Sequence, residues 1–291
     1  MKVLITGASG FIGSLLTKTS VDRGHEVYAI VRSVVPDFPG NVYQIKADFT
    51  DSKWTVRLPD RADAVMHLAQ SKLYRNFPDS SQDIFTVNVK ATFDLLEWSR
   101  KQGVKKFIFS GTGNIYKARA GMLKETDPCL PSDMYAATKL CAEYLVQQYF
   151  KIFTTIICRI FTVYGPGQKK MLIPNLIDRV RKGVPITLAR NIGMYLTPIH
   201  VGDVCEALIH LLENESIGSG SIFNIAGNKP ISMKEIIEII SSSLGIKAVI
   251  EVTDGEVKSL CGNSYYIDQF IDSFKEIHDG LSEIIRDEYC R

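Results

Sequence analysis

The chain begins with the run Met1-Lys-Val-Leu-Ile-Thr-Gly7-Ala-Ser-Gly10-Phe-Ile-Gly13, which decides the fold. A short apolar stretch leads directly into three glycines spaced by three residues, and the residues after Gly13 are typical of a helix. A dinucleotide site needs this succession of strand, turn and helix. The first glycine permits the tight turn, the second lets backbone approach a pyrophosphate, and the third packs the helix on the strand. The helix N-terminus would then offer N–H donors and a favourable dipole to the phosphates.

Short β-rich segments alternate with helical segments through the first half of the chain. Strands are predicted at Val3–Thr6, Glu26–Val31, Val42–Ala47, Ala64–Leu68, Lys106–Ser110 and Thr154–Arg159, with helices near 11–23, 82–102 and 133–151. This alternation predicts an α/β fold with a doubly wound parallel sheet (Rossmann), whose ligands lie at the carboxyl ends of the strands.

The pattern changes after Arg159, where Gly165-Pro-Gly167 indicates a loop. Helices are then predicted at Leu172–Lys182, before Glu213 and at Ser232–Leu244, and strands at Thr197–Val201, Ser221–Ala226 and Lys247–Val252. We expect residues 1–160 to form the dinucleotide-binding domain and 161–291 mainly a smaller C-terminal substrate-binding lobe. Segments near 197–226 are expected to return to the first domain. Residues 262–291 receive no functional interpretation.

Composition excludes several classes of function. The formal net charge of +2 comes without a dense basic tract, which argues against a nucleic-acid partner. No apolar run is long enough to span a membrane, and no signal peptide fits the N-terminus, so we expect a cytoplasmic protein. The cysteines lie at 129, 141, 158, 205, 261 and 290, without a Cys-x-x-Cys pair. Together with five scattered histidines, this spacing predicts neither a metal site nor a disulfide framework.

Tyr135 and Lys139 carry the main chemical signal. Four residues apart, they lie on one face of a predicted helix, and none of the other tyrosines has a lysine at this distance. An ammonium beside a phenol favours the phenolate, so we expect Lys139 to lower the pKa of Tyr135 from about 10. Such a tyrosine exchanges protons with a sugar or alcohol hydroxyl near neutral pH.

In combination with other motifs, these residues resemble the extended short-chain dehydrogenase/reductase family, in particular its NAD-dependent epimerase/dehydratase group acting on nucleotide sugars. The resemblance extends to about residue 245. The further motifs are Ala47-Asp48-Phe49, His67-Leu-Ala69, Asn88 in Thr-Val-Asn-Val, Phe109-Ser-Gly-Thr112 ahead of Ile115-Tyr116, Arg159–Gln168 and Pro198–Asp203.

The resemblance implies a role for each matching residue. The cofactor would be bound by Gly7, Ser9, Gly10, Phe11, Ile12, Gly13, Arg32, Asp48, Phe49, Leu68, Ala69, Gln70, Asn88, Tyr135, Lys139 and Phe161. Asp48 would accept from the adenine amino group, although a loop cap is an equal alternative. Asn88 would order the central helix and a proton-relay water, or serve only as a buried helix amide. Thr112 would bond the reacting hydroxyl beside Tyr135, giving the catalytic set Thr112, Tyr135 and Lys139.

Departures from the family narrow the reaction. Members that remove water between C4 and C6 carry Asp-Glu directly after the threonine at the Thr112 position, whereas this chain has Gly113-Asn114. The acidic residue that decarboxylases use in this stretch is absent, and the residues of 3,5-epimerase/reductases are replaced by Asn114 and Gly167. Of the family's reactions, hydride transfer at a single carbon remains, which covers 4-epimerisation and simple keto-sugar reduction.

Cofactor and substrate preferences follow from three further positions. Val31 stands where NAD-preferring members have an acidic residue, and Arg32 is placed to pair with a 2′-phosphate, so NADP is favoured over NAD. Leu196 replaces the arginine that grips the pyrophosphate in many relatives, and Lys169, Lys170 or Arg190 could supply the missing positive charge, although each is equally explained as a solvated surface residue. Thr162 replaces the asparagine that is usual after Arg-x-Phe, and Thr162 and Arg190 are the candidate substrate-binding residues.

We therefore predict an NAD(P)-dependent nucleotide-sugar 4-epimerase, expected to be a homodimer. An NADPH-dependent keto-sugar or related ketone reductase is the first alternative. A non-catalytic NAD(P)-binding sensor is the second, although a sensor has no use for a proton relay.

Overall fold

A computed structural model describes residues 1–35 and 37–289 of the chain. Cys290 and the last residue of the C-terminal segment fall outside the described residues. The chain divides into two compact units. The first unit comprises Met1–Ile115, Cys129–Arg159 and Cys205–Phe223, and the second comprises Tyr116–Pro128, Ile160–Val204 and the chain from Asn224 onward.

Strands and helices alternate along the chain. The strands are β1 Lys2–Thr6, β2 Glu26–Val31, β3 Val42–Lys46, β4 Ala64–His67, β5 Lys106–Thr112, β6 Met122–Leu123, β7 Thr154–Ile160, β8 Val163–Tyr164, β9 Ile186–Ala189, β10 Met194–Leu196, β11 Ile199–His200, β12 Ser221–Ile225, β13 Ile231–Ser232, β14 Ile250–Thr253 and β15 Lys258–Gly262. The α-helices are α1 Phe11–Asp22, α2 Ser81–Phe85, α3 Ala91–Lys101, α4 Met134–Gln147, α5 Leu172–Arg181, α6 Val201–Glu213, α7 Met233–Leu244 and α8 Ile277–Tyr289.

The first unit is built on a seven-stranded sheet with the order β12-β7-β5-β4-β1-β2-β3. The β1–β2, β2–β3, β1–β4 and β4–β5 pairs are parallel. Strands β2 and β3 follow on one side of β1, and β4, β5, β7 and β12 on the other, so the strand order reverses between β1 and β4. Open sheets of this kind bind ligands at such a point. The predicted doubly wound Rossmann fold is therefore confirmed.

Apolar side chains from sheet and helices form the core of the first unit. It contains large rings such as Trp54, Phe107 and Phe109, together with Leu95 and Leu96 of α3. The long predicted helix over 82–102 proves to be α2 and α3 joined by a π-helical turn, Thr86–Lys90. A π-turn inside a helix is rare and occurs frequently at functional sites.

The second unit has small sheets and its own core. A four-stranded sheet has the order β13-β10-β15-β6, and β11 pairs with β8 and β14 with β9. Its core includes apolar residues of α5, α7 and α8, among them Ile177, Ile236 and Leu281. The C-terminal helix α8 thus has a structural role, because its apolar face is buried in this core.

Two local differences from the expected elements have physical causes. The strand expected at Thr197–Val201 pairs only over Ile199–His200, since Pro198 has no N–H to donate and the Thr197 carbonyl accepts instead from Gly227 N–H at 3.1 Å. Helix α7 begins one residue later than expected because Ser232 caps it, in a capping box with Glu235.

Among the described residues, none of the helices combines the length and apolar character that crossing a bilayer requires. In this part of the chain, no three His, Cys, Asp or Glu side chains are grouped to hold a metal ion. The cysteines at 141, 158, 205 and 261 are free thiols.

Candidate active site

The glycine-rich turn after β1 has the geometry of a phosphate cradle. Gly7 adopts a φ of +69°, and a Cβ there would lie 2.9 Å from the Ala69 backbone nitrogen. Gly13 packs so closely on the Gly7 carbonyl that no side chain would fit. Gly10 caps helix α1, with neither a side-chain cap nor an acidic residue in the first turn. The first N–H groups of α1 are therefore open to an anion, and the turn fits a dinucleotide pyrophosphate.

Other predicted cofactor residues lie at the same carboxyl edge of the sheet. Val31 ends β2 and is buried, whereas Arg32 directly after it is exposed. Asp48 follows β3, and its Oδ1 accepts from the Thr50 N–H at 2.9 Å and from the Thr50 hydroxyl at 2.8 Å. These bonds, together with the nearby charge of Arg32, lower the pKa of Asp48. Asp48 therefore acts as the loop cap, and its Oδ1 is engaged within the loop.

Aromatic packing holds the loop after Asp48. Phe49 is half-buried, and its ring centroid lies 4.4 Å from that of Trp54. Phe49 also faces the His67 ring at 6.4 Å. One face of Phe49 is thus fixed by the core of the first unit.

Helix α4 presents Tyr135 to the end of β5. Asp133 caps this helix, and its carboxylate accepts from the Ala136 N–H at 2.8 Å. The Tyr135 hydroxyl is hydrogen-bonded to Thr112 and donates to Gln70 Oε1 at 3.0 Å. The Asn114 N–H donates to Thr112 Oγ1 at 3.3 Å, so Thr112 can turn its own proton toward Tyr135. The Asn114 N–H, the Thr112 hydroxyl and the Tyr135 hydroxyl therefore donate in sequence along one chain of hydrogen bonds that ends on Gln70.

The expected lowering of the Tyr135 pKa is wrong for this structure. Burial raises the pKa of Tyr135 to about 12, against a smaller lowering by the hydrogen bond from Thr112. The ring stays half-buried, but the protein groups around it desolvate the phenolate more than any nearby cation compensates. The Lys139 ammonium lies over the Phe109 ring, 4.3 Å from its centroid.

Lys139 is itself strongly affected by burial. Its side chain is 1% exposed, and desolvation lowers its pKa to about 8, while the charge of Glu143 opposes this shift. Lys139 in turn disfavours a second positive charge on His67. Burial and this repulsion lower the pKa of His67 to about 3, so His67 is neutral at physiological pH.

Neutral His67 forms the centre of a hydrogen-bond chain at the carboxyl edge of the sheet. The Thr92 hydroxyl donates to the Asn88 carbonyl at 2.8 Å, so it accepts from His67 Nε2 at 2.9 Å. His67 Nδ1 then accepts from the Thr6 hydroxyl at 2.6 Å, and Thr6 Oγ1 accepts from the Ala69 N–H at 3.2 Å. The chain ties the β4 loop, with Leu68 and Ala69, to the π-turn.

Asn88 occupies the middle of that π-turn and is 2% exposed. Its Oδ1 accepts from the Ser71 N–H at 2.9 Å, and its Nδ2 donates to the Thr138 hydroxyl at 3.0 Å. Thr138 bonds the carbonyls of Met134 and Tyr135 at 2.9 and 3.0 Å. Asn88 thus fixes α4 against the β4 loop with its amide group.

The remaining predicted residues divide between the units. Ser9 is exposed and Phe11 and Ile12 are half-buried at the start of α1, in the first unit. Phe161, Thr162 and Arg190 belong to the second unit. There the Phe161 ring is stacked with Tyr116 at 6.0 Å, and Thr162 accepts from the Ile199 N–H at 2.9 Å. Arg190 is exposed in a turn with a φ of +48°.

Sequence reasoning missed Tyr74 and Glu143 as neighbours of Tyr135 and Lys139, and it did not predict that Gln70 bonds to Tyr135. The interaction of Gln70 with the Tyr135 hydroxyl joins residues far apart in the chain. The Tyr74 ring lies 5.0 Å from the Tyr135 ring, tilted by 47°, and no local pattern signals this contact. Glu143 pairs with Arg159 at 3.0 Å below Lys139. Its position, one helical turn after Lys139, was the available signal.

Comparisons with known proteins agree with this geometry. The family model described as the NAD dependent epimerase/dehydratase family matches residues 3–226. A Bacillus cereus UDP-glucuronic acid 4-epimerase, solved with UDP-glucuronic acid and NAD, superposes with a TM-score of 0.87 at 26% identity, covering 99% of this chain and 100% of that one.

Two sequence relatives differ in reaction. An uncharacterized UDP-glucose epimerase of Bacillus subtilis is 27% identical, over 87% of this chain and 85% of its own. A dTDP-4-dehydro-6-deoxyglucose reductase of Escherichia coli is also 27% identical, over 87% of this chain and 84% of its own. The chain therefore belongs to the NAD-dependent epimerase/dehydratase family and is an NAD(P)-dependent enzyme of the extended short-chain dehydrogenase/reductase group.

Proposed function

We propose that this protein is a nucleotide-sugar 4-epimerase that uses Thr112, Tyr135 and Lys139. The observation that carries the proposal is the hydrogen-bond chain from Thr112 through Tyr135 to Gln70, at the edge of the sheet that holds the glycine-rich turn. Asn114, which follows in the chain, contributes its backbone N–H and no carboxylate. This arrangement supports hydride transfer at one carbon rather than elimination of water.

In the proposed reaction, one proton passes between the sugar hydroxyl and the Tyr135 oxygen. Gln70 Oε1 accepts a hydrogen bond from the Tyr135 hydroxyl, and Gln70 is exposed, so a sugar hydroxyl can take its place beside Tyr135 and Thr112. Thr112 would orient that hydroxyl, and Tyr135 would take its proton and later return it. A bound nicotinamide supplies the hydride acceptor and donor. Burial raises the pKa of Tyr135 to about 12, and the positive charge of an oxidised nicotinamide would favour its deprotonation.

Lys139 would serve the cofactor more than the phenol. Its ammonium is buried beneath the same edge of the sheet and lies on the Phe109 ring. An ammonium there can donate to ribose hydroxyls. We therefore propose that Lys139 anchors the nicotinamide ribose.

The second candidate is an NADPH-dependent keto-sugar reductase, and one observation favours it. Buried Val31 offers no acceptor for a ribose diol, while exposed Arg32 lies near Asp48 at the loop that would receive the adenosine. Arg32 can pair with a 2′-phosphate, and an enzyme that consumes reducing equivalents commonly uses NADPH. We propose NADP as the preferred cofactor under both functions.

We also propose a homodimer. Phe93 of α3 and Tyr144 of α4 are 45% and 55% exposed, and such apolar side chains on two long helices suit a helix-packed interface. The substrate lobe would be the second unit, with Thr162 and Arg190 as its candidate contacts.

A panel of nucleotide sugars tests the proposal. The protein would be incubated with UDP- and dTDP-hexoses or uronates and catalytic NAD or NADP, and products followed by proton NMR of the anomeric region. The 4-epimer is expected from at least one substrate. Product formation only from 4-keto sugars, with stoichiometric NADPH, would establish the reductase instead.

A further inference from the structure

A buried ion pair joins helix α4, which carries Tyr135, to strand β7. Glu143 is 0% exposed and Arg159 of β7 is 4% exposed. Glu143 Oε2 accepts from Arg159 Nε at 3.1 Å and from its NH2 group at 3.0 Å. Both hydrogen bonds fall on one carboxylate oxygen. Within the described residues, the other oxygen, Oε1, is buried without a hydrogen-bond partner and lies against Gly111, where a Cβ would meet it.

Glu143 stands one helical turn after Lys139 on the same face of α4. Burial disfavours the Lys139 ammonium, and the Glu143 charge is the cause that opposes this loss. Lys139 in turn favours ionised Glu143, as Arg159 does more strongly, while burial raises the pKa of Glu143. Lysine, carboxylate and guanidinium thus form a buried cluster of three charges with a net charge of +1.

Other titratable groups lie close enough to interact with this cluster. They include His67 on β4, Cys158 on β7 and Cys129 before α4. His67 is neutral, and burial raises the pKa of both cysteine thiols. Tyr135 holds its proton. Among these groups, Glu143 is therefore the anion that can stabilise the Lys139 ammonium.

A stability role alone does not explain the pair. Removing two charges from water is costly, and apolar residues of similar size often serve a core as well as a buried ion pair does. We propose that Glu143 is a positioning residue that keeps the Lys139 ammonium charged in the cofactor site, and that Arg159 holds Glu143 ionised for this purpose. The inference rests on the proposed function only in assigning Lys139 to that site.

The sign of the effect follows from the charges. A neutral residue at 143 removes the stabilising anion, so Lys139 loses its proton at lower pH than in the unmodified protein. Replacing both members of the pair removes the same anion, so the pKa of Lys139 should again fall, and it leaves neither a guanidinium nor a carboxylate without its partner at positions 159 and 143.

The test is a titration of Lys139 in protein without added cofactor. Lysine labelled with ¹³C at Cε would be followed by NMR, and the Lys139 signal assigned by its loss in K139M. Two variants are compared, E143Q, which keeps an acceptor for Arg159, and the double variant E143M/R159M. The matched control is E97Q, since Glu97 of α3 pairs with Arg100 at 2.9 Å on the surface.

We expect a midpoint near 8 in the unmodified protein and in E97Q. In E143Q and E143M/R159M the midpoint should fall by about one pH unit or more, a tenfold weaker hold on the proton. The alkaline limb of kcat/KM should move to lower pH by the same amount. Folded variants whose Lys139 midpoint stays within 0.3 units of the unmodified value, roughly twofold in proton affinity, would overturn the proposal. The titration needs no substrate, so it stands apart from the outcome of the sugar panel.

Discussion

Replacing Tyr135 by phenylalanine removes one oxygen atom from the proposed site. The ring would keep its contact with Tyr74, whose centroid lies 5.0 Å away. The lost interactions are the bond to Thr112 and the donation to Gln70 at 3.0 Å. Gln70 is exposed, so its oxygen can bind water instead, and the cost in folding free energy should be about 1 kcal/mol.

The cost to catalysis should be far larger. Loss of a general acid–base group lowers turnover by roughly 10²–10⁴, which corresponds to about 3–5 kcal/mol of activation free energy. The Phe side chain cannot accept or return the proton of the sugar hydroxyl, and the aliphatic hydroxyl of Thr112 is too weak an acid to replace Tyr135. Binding of NAD(P) should change less than about threefold, because the affected atom faces the sugar in the proposed arrangement.

The assay is initial-rate epimerisation of the best substrate from the sugar panel, with cofactor binding measured by fluorescence titration. Y144F is the matched control, since Tyr144 lies on the same helix and is 55% exposed. Y144F should retain full activity and Y135F should not. A Y135F protein within tenfold of the unmodified rate would refute the assignment of Tyr135 as proton carrier.

Three other changes test the cofactor site and its support. K139M should weaken cofactor binding by about tenfold or more, whereas K101M on the surface of α3 should not, and equal dissociation constants by calorimetry would remove Lys139 from the site. The unmodified protein should bind NADP about tenfold or more tightly than NAD, and R32A should abolish this preference. An unmodified protein that binds NAD as tightly as NADP would contradict the role of Arg32. His67 has a folded pKa of about 3, below its unfolded value near 6.5, so its contribution to stability is present above pH 6.5 and lost as the pH falls toward 3. Urea unfolding should show that H67Q loses about 2 kcal/mol less than the unmodified protein between pH 7 and 5, and parallel losses in both proteins would mean that His67 does not titrate this way.

Local sequence patterns predicted the first unit well because its elements are long and periodic. The run through Gly13 specifies a strand, a turn and a helix by itself, and alternation then leads to a parallel sheet. The short strands β10 and β15 were not predictable in this way. Their parallel pairing, from Met194 against Lys258 to Leu196 against Leu260, joins segments more than sixty residues apart. Helix α8 could have been predicted from Ile277, Leu281 and Ile284, spaced by four and three residues.

The residue types of the candidate site could be predicted from the sequence, whereas the pKa values of its side chains could not. Spacing alone put Tyr135 and Lys139 on one face of α4. The pKa values of these residues depend on burial and on neighbours such as Thr112 and Glu143, which the spacing of Tyr135 and Lys139 does not reveal. Desolvation therefore raises the pKa of Tyr135, and the charge that supports the Lys139 ammonium comes from Glu143. Gln70 and Tyr74 meet Tyr135 only through the tertiary fold.

The central claim is that a hydride leaves C4 of a nucleotide sugar and returns to the same carbon. It is tested most directly with a substrate carrying deuterium at C4, incubated with the protein and a substoichiometric amount of NAD or NADP. Mass spectrometry and NMR would report the label in the 4-epimer. We predict that the product keeps deuterium at C4 and exceeds the cofactor many-fold. Product limited to one equivalent of cofactor, or absent unless a 4-keto sugar and NADPH are supplied, would contradict the epimerase and identify a reductase.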